Sequence, residues 1–105
     1  MMRNEDTIRR MADRLVEQFS PEKIILFGSK ARGDDTADSD VDFLVIVRAA
    51  DDRGELRDAM HRAVTGMGLS KHIIVLTASE FEAKRSVPGT IAYPADHEGT
   101  VLYAA

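Results

Sequence analysis

The residue types able to do chemistry in this chain gather between Phe27 and Val45. A short apolar run, Lys23-Ile24-Ile25-Leu26-Phe27, ends at Gly28-Ser29, and Lys30 and Arg32 follow closely. Glycine leaving a buried strand lets the backbone approach a ligand, and serine opening the next turn adds a hydroxyl and free N–H groups, so Gly28 and Ser29 can cradle an anion. Lys30 and Arg32 place positive charge beside that cradle, which suits phosphate oxygens. Taken alone, a Gly-Ser pair reads as an ordinary strand-ending turn and helix cap. Asp40 and Asp42 change that reading. Two residues apart on a strand, they share a face with backbones about 6–7 Å apart, and their carboxylates can converge on divalent cations about 3.5–4 Å apart. Strand interiors are poor in aspartate, and like charges this close repel unless a cation or hydrogen bonds compensate them. The alternative is that Asp40 belongs to the loop and only Asp42 to the strand.

The chain has no cysteine, which removes disulfides, thiolate zinc sites and cysteine nucleophiles and leaves oxygen and imidazole as metal ligands. Hard cations are the natural candidates. Asp38-x-Asp40-x-Asp42 mimics the start of a calcium-binding EF-hand loop, but Phe43 stands where the turn glycine is required and Ala49 where the bidentate glutamate is required. Gly28-Ser29-Lys30 lacks the upstream glycine of a Walker A loop, and no Gly-Lys-Ser/Thr exists.

Gly28-Ser29, ten intervening residues and Asp40-x-Asp42 together resemble the signature of the DNA polymerase beta-like nucleotidyltransferase superfamily. The forms Gly-Ser-x-Ala-Arg-Gly from Gly28 to Gly33 and Ser-Asp-x-Asp from Ser39 to Asp42 are similar to those of its minimal nucleotidyltransferase group, and the likeness runs from the first helix to Tyr103. The resemblance implies an α/β (α+β) fold, a small mixed sheet flanked by helices. It also implies a nucleoside triphosphate, ATP or another, held by Gly28 and Ser29, with Mg²⁺ or Mn²⁺ held by Asp40 and Asp42. The implied reaction moves a nucleoside monophosphate, AMP in the case of ATP, to a hydroxyl while pyrophosphate leaves.

One position departs from the superfamily pattern. A third carboxylate is expected on a later strand, just before a run such as Ile73-Ile74-Val75-Leu76-Thr77, and here that position is His72. Imidazole is a weaker Mg²⁺ ligand than carboxylate, although neutral histidine can serve as a general base. His61 and His97 read as solvated surface residues. The minimal group lacks the extra domain with which larger relatives hold the acceptor, so a partner has to supply it. Such proteins resemble the antitoxin half of a pair whose other half is a helical HEPN-type ribonuclease toxin, which some of them adenylylate. The competing reading is a catalytically weak or inactive interaction module on the same fold, with His72 marking lost turnover. A transferase acting on tRNA or antibiotics is disfavoured by the missing acceptor domain and by the charge balance.

That balance is 14 Lys+Arg against 18 Asp+Glu, a net charge of −4 with no basic block. Autonomous nucleic-acid binding draws on a basic face for counterion release, so none is expected. The 105 residues, 44% hydrophobic and 30% charged, make one domain over 1–105 with a modest core. No apolar run reaches the length of about 20 residues that crosses a bilayer, and the N-terminus lacks the basic-then-apolar order of a signal peptide, so a cytoplasmic protein is expected, its oligomeric state left open.

The elements that must position these groups follow from periodicity. Ile8, Met11, Ala12, Leu15, Val16 and Phe19 form the stripe of an amphipathic helix, with Asn4 as N-cap and Ser20-Pro21 as its end. Strands are predicted over Lys23–Phe27, Val41–Val47 and Lys71–Thr77, and at most one helical turn fits between Lys30 and Ser39 before a loop. Asp51 or Asp52 caps a helix with Leu56, Met60, Ala63, Val64 and Met67 on its apolar side, stopped by Gly66 and Gly68. Ser79-x-x-Glu82 has capping-box spacing, which predicts a helix to Val87. A helical turn or two within Ile91–Glu98, ended by Gly99, and an edge strand over Val101–Tyr103 complete the chain. The first two strands are joined too briefly for a parallel crossover, so they are antiparallel or splayed neighbours.

Overall fold

The N-terminal stripe forms α1 (Asn4–Phe19), which buries Thr7, Ile8, Met11, Ala12 and Leu15. Asn4 lies inside the helix rather than at its cap. The computed structural model describes residues 4–33 and 40–105, so the loop expected over 34–39 lies outside the described residues. Ser20 ends α1 in the left-handed region at φ 47, its N–H donating to the Val16 carbonyl at 3.0 Å, and the chain turns at buried Pro21 into β1 (Lys23–Phe27). A single turn, α2 (Ser29–Arg32), follows, and then β2 (Val41–Val47), α3 (Arg53–Ala63), β3 (Lys71–Thr77), α4 (Ala78–Lys84), α5 (Ala92–Glu98) and β4 (Thr100–Ala104).

The sheet order is β3-β2-β1-β4. β1 pairs antiparallel with both β2 and β4, while β2 and β3 run parallel with α3 as their crossover. This is the mixed α/β arrangement the sequence predicts. Alternation along the strands separates two cores. Ile24, Leu26, Phe43, Val45, Ile73 and Val75 pack with α1 and α3, whereas Ile25, Phe27, Leu44, Ile46 and Leu76 pack with Phe81 of α4 and with Ala92 and Ala95 of α5. β2 is covered on both sides, which explains its apolar run from Phe43 to Val47. Phe43 at its centre is fully buried, and its truncation to alanine would cost about 3–5 kcal/mol. No described helix is long and apolar enough to cross a membrane.

Two boundaries differ from the sequence reading. α3 is capped by Asp52, whose side chain accepts from the Glu55 N–H at 3.0 Å, but the helix ends at Ala63, ahead of Gly66. At α4 the capping box is Thr77 with Glu80, not Ser79 with Glu82. β3 runs directly into α4, so its last residue becomes the cap: the Glu80 N–H donates to Thr77 Oγ1 at 3.2 Å and the Thr77 N–H donates to Glu80 Oε1 at 2.9 Å. Glu82 instead meets Arg85 at 3.0 Å, and α4 stops at Lys84 rather than Val87. Pro94 is tolerated in α5 because it sits in the first turn, where no intrahelical N–H bond is lost.

Glu80 also accepts from Arg53 Nη2 at 2.7 Å, tying the start of α4 to the start of α3. The Thr77 backbone bond first, and the Arg53 guanidinium second, hold its carboxyl down to about 2 from an ordinary 4.5. A depressed folded pKa contributes stability above the unfolded value, and that contribution is lost as pH falls through the interval from 4.5 to about 2. Glu80→Gln is therefore expected to melt below the parent near neutral pH, with the gap in Tm narrowing on acidification through that interval. A gap that stays constant would show that the charge of Glu80 contributes nothing.

Candidate functional site

Strand register brings the predicted groups to one end of the sheet. Antiparallel pairing places Phe27 opposite Asp42, and parallel pairing places His72 beside the same residue. Asp42 follows the alternation of Leu44 and Ile46, and His72 that of Ile74 and Leu76, so both sit on the α4–α5 face of the sheet. His72 Nδ1 lies 3.5 Å from Asp42 Oδ1. The position that the sequence aligned with a third carboxylate therefore does adjoin Asp42.

Gly28 follows Phe27 at φ +78, and a Cβ on it would collide with the Asp42 carboxylate. Glycine is required there twice over, once by the backbone conformation and once by the space Asp42 takes. The chain then winds through α2, closed by the Arg32 N–H donating to the Gly28 carbonyl at 3.1 Å. Ser29 opens that turn, but its side chain lies outside the described residues, and Lys30 is half-buried.

Asp42 is 24% exposed, and burial pushes its carboxyl above the ordinary carboxylate range. His72 opposes that rise by charge and hydrogen bonding, the neighbouring Asp40 charge adds to it, and Arg32 opposes it. Four of the residues singled out by spacing thus converge electrostatically, since Asp40, His72 and Arg32 all act on Asp42. Asp40 itself is exposed and precedes β2, so the loop alternative for Asp40 is the one observed. The chain is held there by the Val41 N–H donating to the Ser70 carbonyl at 2.9 Å.

Arg32 Nη1 approaches Glu98 Oε2 at 3.9 Å, with both side chains about half exposed. Sequence spacing could not show this pair, because α5 reaches α2 only through the folded sheet. Exposed pairs of this kind contribute about 0–1 kcal/mol. His61 departs from expectation: it is half-buried on α3, and burial first, then Lys71, Arg57 and His72, depress its pKa. His97 is an exposed residue as expected, its ring stacked on Tyr93 at 4.0 Å.

The donor set fits a hard cation. Asp40 and Asp42 offer carboxylate oxygens, their mutual repulsion would be relieved by positive charge, and the missing side chain at Gly28 lets the Asp42 carboxylate lie against the backbone that leaves β1. Among the described residues no three His, Asp or Glu side chains gather closely enough to hold a metal ion by themselves. Oxygens from a bound phosphate would have to complete the shell. A cavity of about 660 Å³ lies elsewhere, near the register pair Lys23 and Ile46 at the other end of the β1–β2 ladder. Its Arg85 is already engaged by Glu82 and Asp96.

Gly28 and Gly33 share a positive φ, but only Gly28 has a neighbour within reach of an added Cβ. Gly28→Ala and Gly33→Ala should both lose about 1–2 kcal/mol to backbone strain, and Gly28→Ala should lose more because the Asp42 carboxylate has to move. Thermal melts of the two variants measure the difference. Equal losses would mean that Asp42 yields freely and that the close approach imposes nothing.

Comparisons with known proteins bear on the fold and the family. No curated protein sequence matches the chain. Solved structures do. A protein from Sulfolobus solfataricus assigned as a nucleotidyltransferase superposes with a TM-score of 0.64 at 21% identity, covering 93% of this chain and 78% of that one. An MntA-HpeT toxin–antitoxin mutant, with two aspartates two positions apart changed to glutamate, gives 0.62 at 19% identity over 91% of this chain and 72% of that one. A toxin–antitoxin structure with AMP-PNP gives 0.60 at 20% identity over 98% and 75%. These likenesses show the shared fold. The family described as the nucleotidyltransferase domain matches residues 8–94, a span that contains both strands of the Gly28–Asp42 approach and His72, and the chain belongs to that family.

Proposed function

We propose that this protein binds a nucleoside triphosphate, ATP foremost, together with Mg²⁺ or Mn²⁺ and transfers its nucleoside monophosphate to a hydroxyl on a partner protein. The observation that carries the reading is the Asp42 carboxylate pressed against side-chain-free Gly28 at the end of β1, with Asp40, His72 and Arg32 acting on it. Asp40 and Asp42 would hold the cation, which when bound supplies the charge that neutralises the phosphates. Gly28 and Ser29 would receive the phosphate chain, and Lys30 and Arg32 would offset its charge. In the reaction the acceptor oxygen bonds to the α-phosphorus, the bond from that phosphorus to the bridging oxygen breaks, and pyrophosphate departs with the electron pair. His72, which lies beside Asp42, would take the acceptor's proton.

The partner reading is supported by the company of similar folds. Two of the similar structures are toxin–antitoxin complexes, one solved with AMP-PNP. A helical HEPN-type toxin is the partner this reading favours. The binding step is tested by calorimetry. Asp42→Asn is expected to weaken Mg²⁺-dependent ATP binding by at least about tenfold. Loss of fold cannot account for that result if the protein behaves as its electrostatics require. The folded-state pKa of Asp42 is raised, so its contribution to stability is lost as pH rises past the ordinary carboxylate range, and removal of the charge should hold or raise the Tm at neutral pH. Unchanged metal-dependent ATP binding in Asp42→Asn would overturn the site assignment.

A second reading, a nucleotide-binding interaction module with weak or no turnover, is favoured by one observation: the neighbour of Asp42 on β3 is an imidazole, where a carboxylate would anchor a second cation. His72→Asp separates the two. Pyrophosphate release from ATP, followed with the partner that co-purifies, should fall if His72 works as a base and rise if it is a lost ligand.

A further inference from the structure

β3 and β4 form the two edges of the sheet. On β4, Arg9 Nη1 from α1 donates to the Leu102 carbonyl at 2.6 Å, so a side chain already occupies part of that strand. Along β3 runs a groove of about 330 Å³ lined by residues 72–76 and by Arg53, Gly54 and Arg57 of α3. Five consecutive strand residues contribute to it, those facing one core and those facing the other alike, so the groove follows the edge of the strand and not one of its faces. No described strand pairs there, which leaves alternate backbone N–H and C=O groups of β3 without a ladder partner.

The groove is also one-sided in charge. Its charged lining residues are arginines, and no carboxylate lines it. Arg53 is engaged by Glu80 at 2.7 Å, whereas Arg57, among the described residues, approaches Asp58 at 3.8 Å and is more than half exposed. Arg57, Lys71 and His72 lie close enough together that all three act on His61. At one end the groove opens at His72, beside Asp42.

We propose that the outer edge of β3 is a docking strand for an extended, acidic polypeptide segment of a partner protein, which adds to the sheet beside β3 with its carboxylates toward Arg57. Main-chain bonds give such additions their affinity, and side-chain pockets and charge give them their selectivity. A nucleic acid would meet the same arginines but has no backbone ladder to pair with β3, and it would approach a chain of net charge −4. Natural sheets blunt such edges with charge, so the arginines beside β3 turn away strands in general and admit one that brings the opposite charge. That the docked segment also presents the acceptor hydroxyl to Asp42 rests on the nucleotidyl-transfer reading; the docking itself does not.

The experiment selects twelve-residue peptides from a random displayed library on the full chain and maps the winners by hydrogen exchange. Acidic peptides with alternating β-branched residues are expected, and their binding should slow exchange at alternate amides within residues 72–76. Arg57→Glu should weaken them by at least about tenfold, as should replacing their Asp and Glu by Asn and Gln. Arg57→Glu should keep its Mg²⁺-dependent ATP affinity and its Tm, so failure of the nucleotide site and failure of the docking edge are read separately. The proposal is overturned if no peptide is selected, if neutral or basic peptides win, if protection appears away from β3, or if a single-stranded oligonucleotide of equal charge competes equally well.

Discussion

The site depends on one close approach, the Asp42 carboxylate lying where a side chain on Gly28 would be. Nothing larger than hydrogen fits at Gly28, so the backbone leaving β1 passes directly over a carboxylate leaving β2. Any ligand bound by that carboxylate is then within reach of the backbone and of the turn that follows. The antiparallel β1–β2 ladder holds this geometry, because pairing Phe27 with Asp42 makes the end of one strand and the start of the next coincide. A slip of one residue would turn Asp42 toward α1 and α3 and bury a charge among Phe43's neighbours. The apolar residues that alternate on both faces of β2 therefore protect the register on which the site relies.

Burial of Asp42 has an energetic consequence that points the same way. Its carboxyl is pushed upward by desolvation and by Asp40, against the pull of His72 and Arg32. The folded protein thus keeps a carboxylate that would be more comfortable in water, a cost borne at the place where a cation would relieve it. Stability is supplied elsewhere, by the two cores on either side of β2 and by the Thr77–Glu80–Arg53 link between the starts of α4 and α3.

β3 ties the site to the rest of the surface. Its parallel pairing with β2 sets His72 beside Asp42, its C-terminal residue caps α4, and its outer edge forms the groove under Arg57. A strand of seven residues therefore contributes to the carboxylate's environment, to the stability of the α4–α5 layer and to the groove along the sheet edge.

The three central strands were legible in the sequence because Ile, Val, Leu and Phe run together from Ile24 to Phe27, from Phe43 to Val47 and from Ile73 to Leu76, and short apolar runs bounded by turn residues have few other uses. The pairing of Gly28 with two spaced aspartates was legible too, since residue type and spacing along a chain are local facts. Caps were read less well. Thr77 lies in a strand and at a helix start at once, and only the direct β3–α4 junction decides that it, and not Ser79, receives the Glu80 N–H. The approach of Arg32 to Glu98, the half-burial of His61 within the field of Lys71 and Arg57, and the placing of β3 at an edge were settled by tertiary structure alone. These are contacts between segments far apart in the chain, chosen by strand order and helix packing, and no local pattern of residues encodes the order in which strands lie side by side.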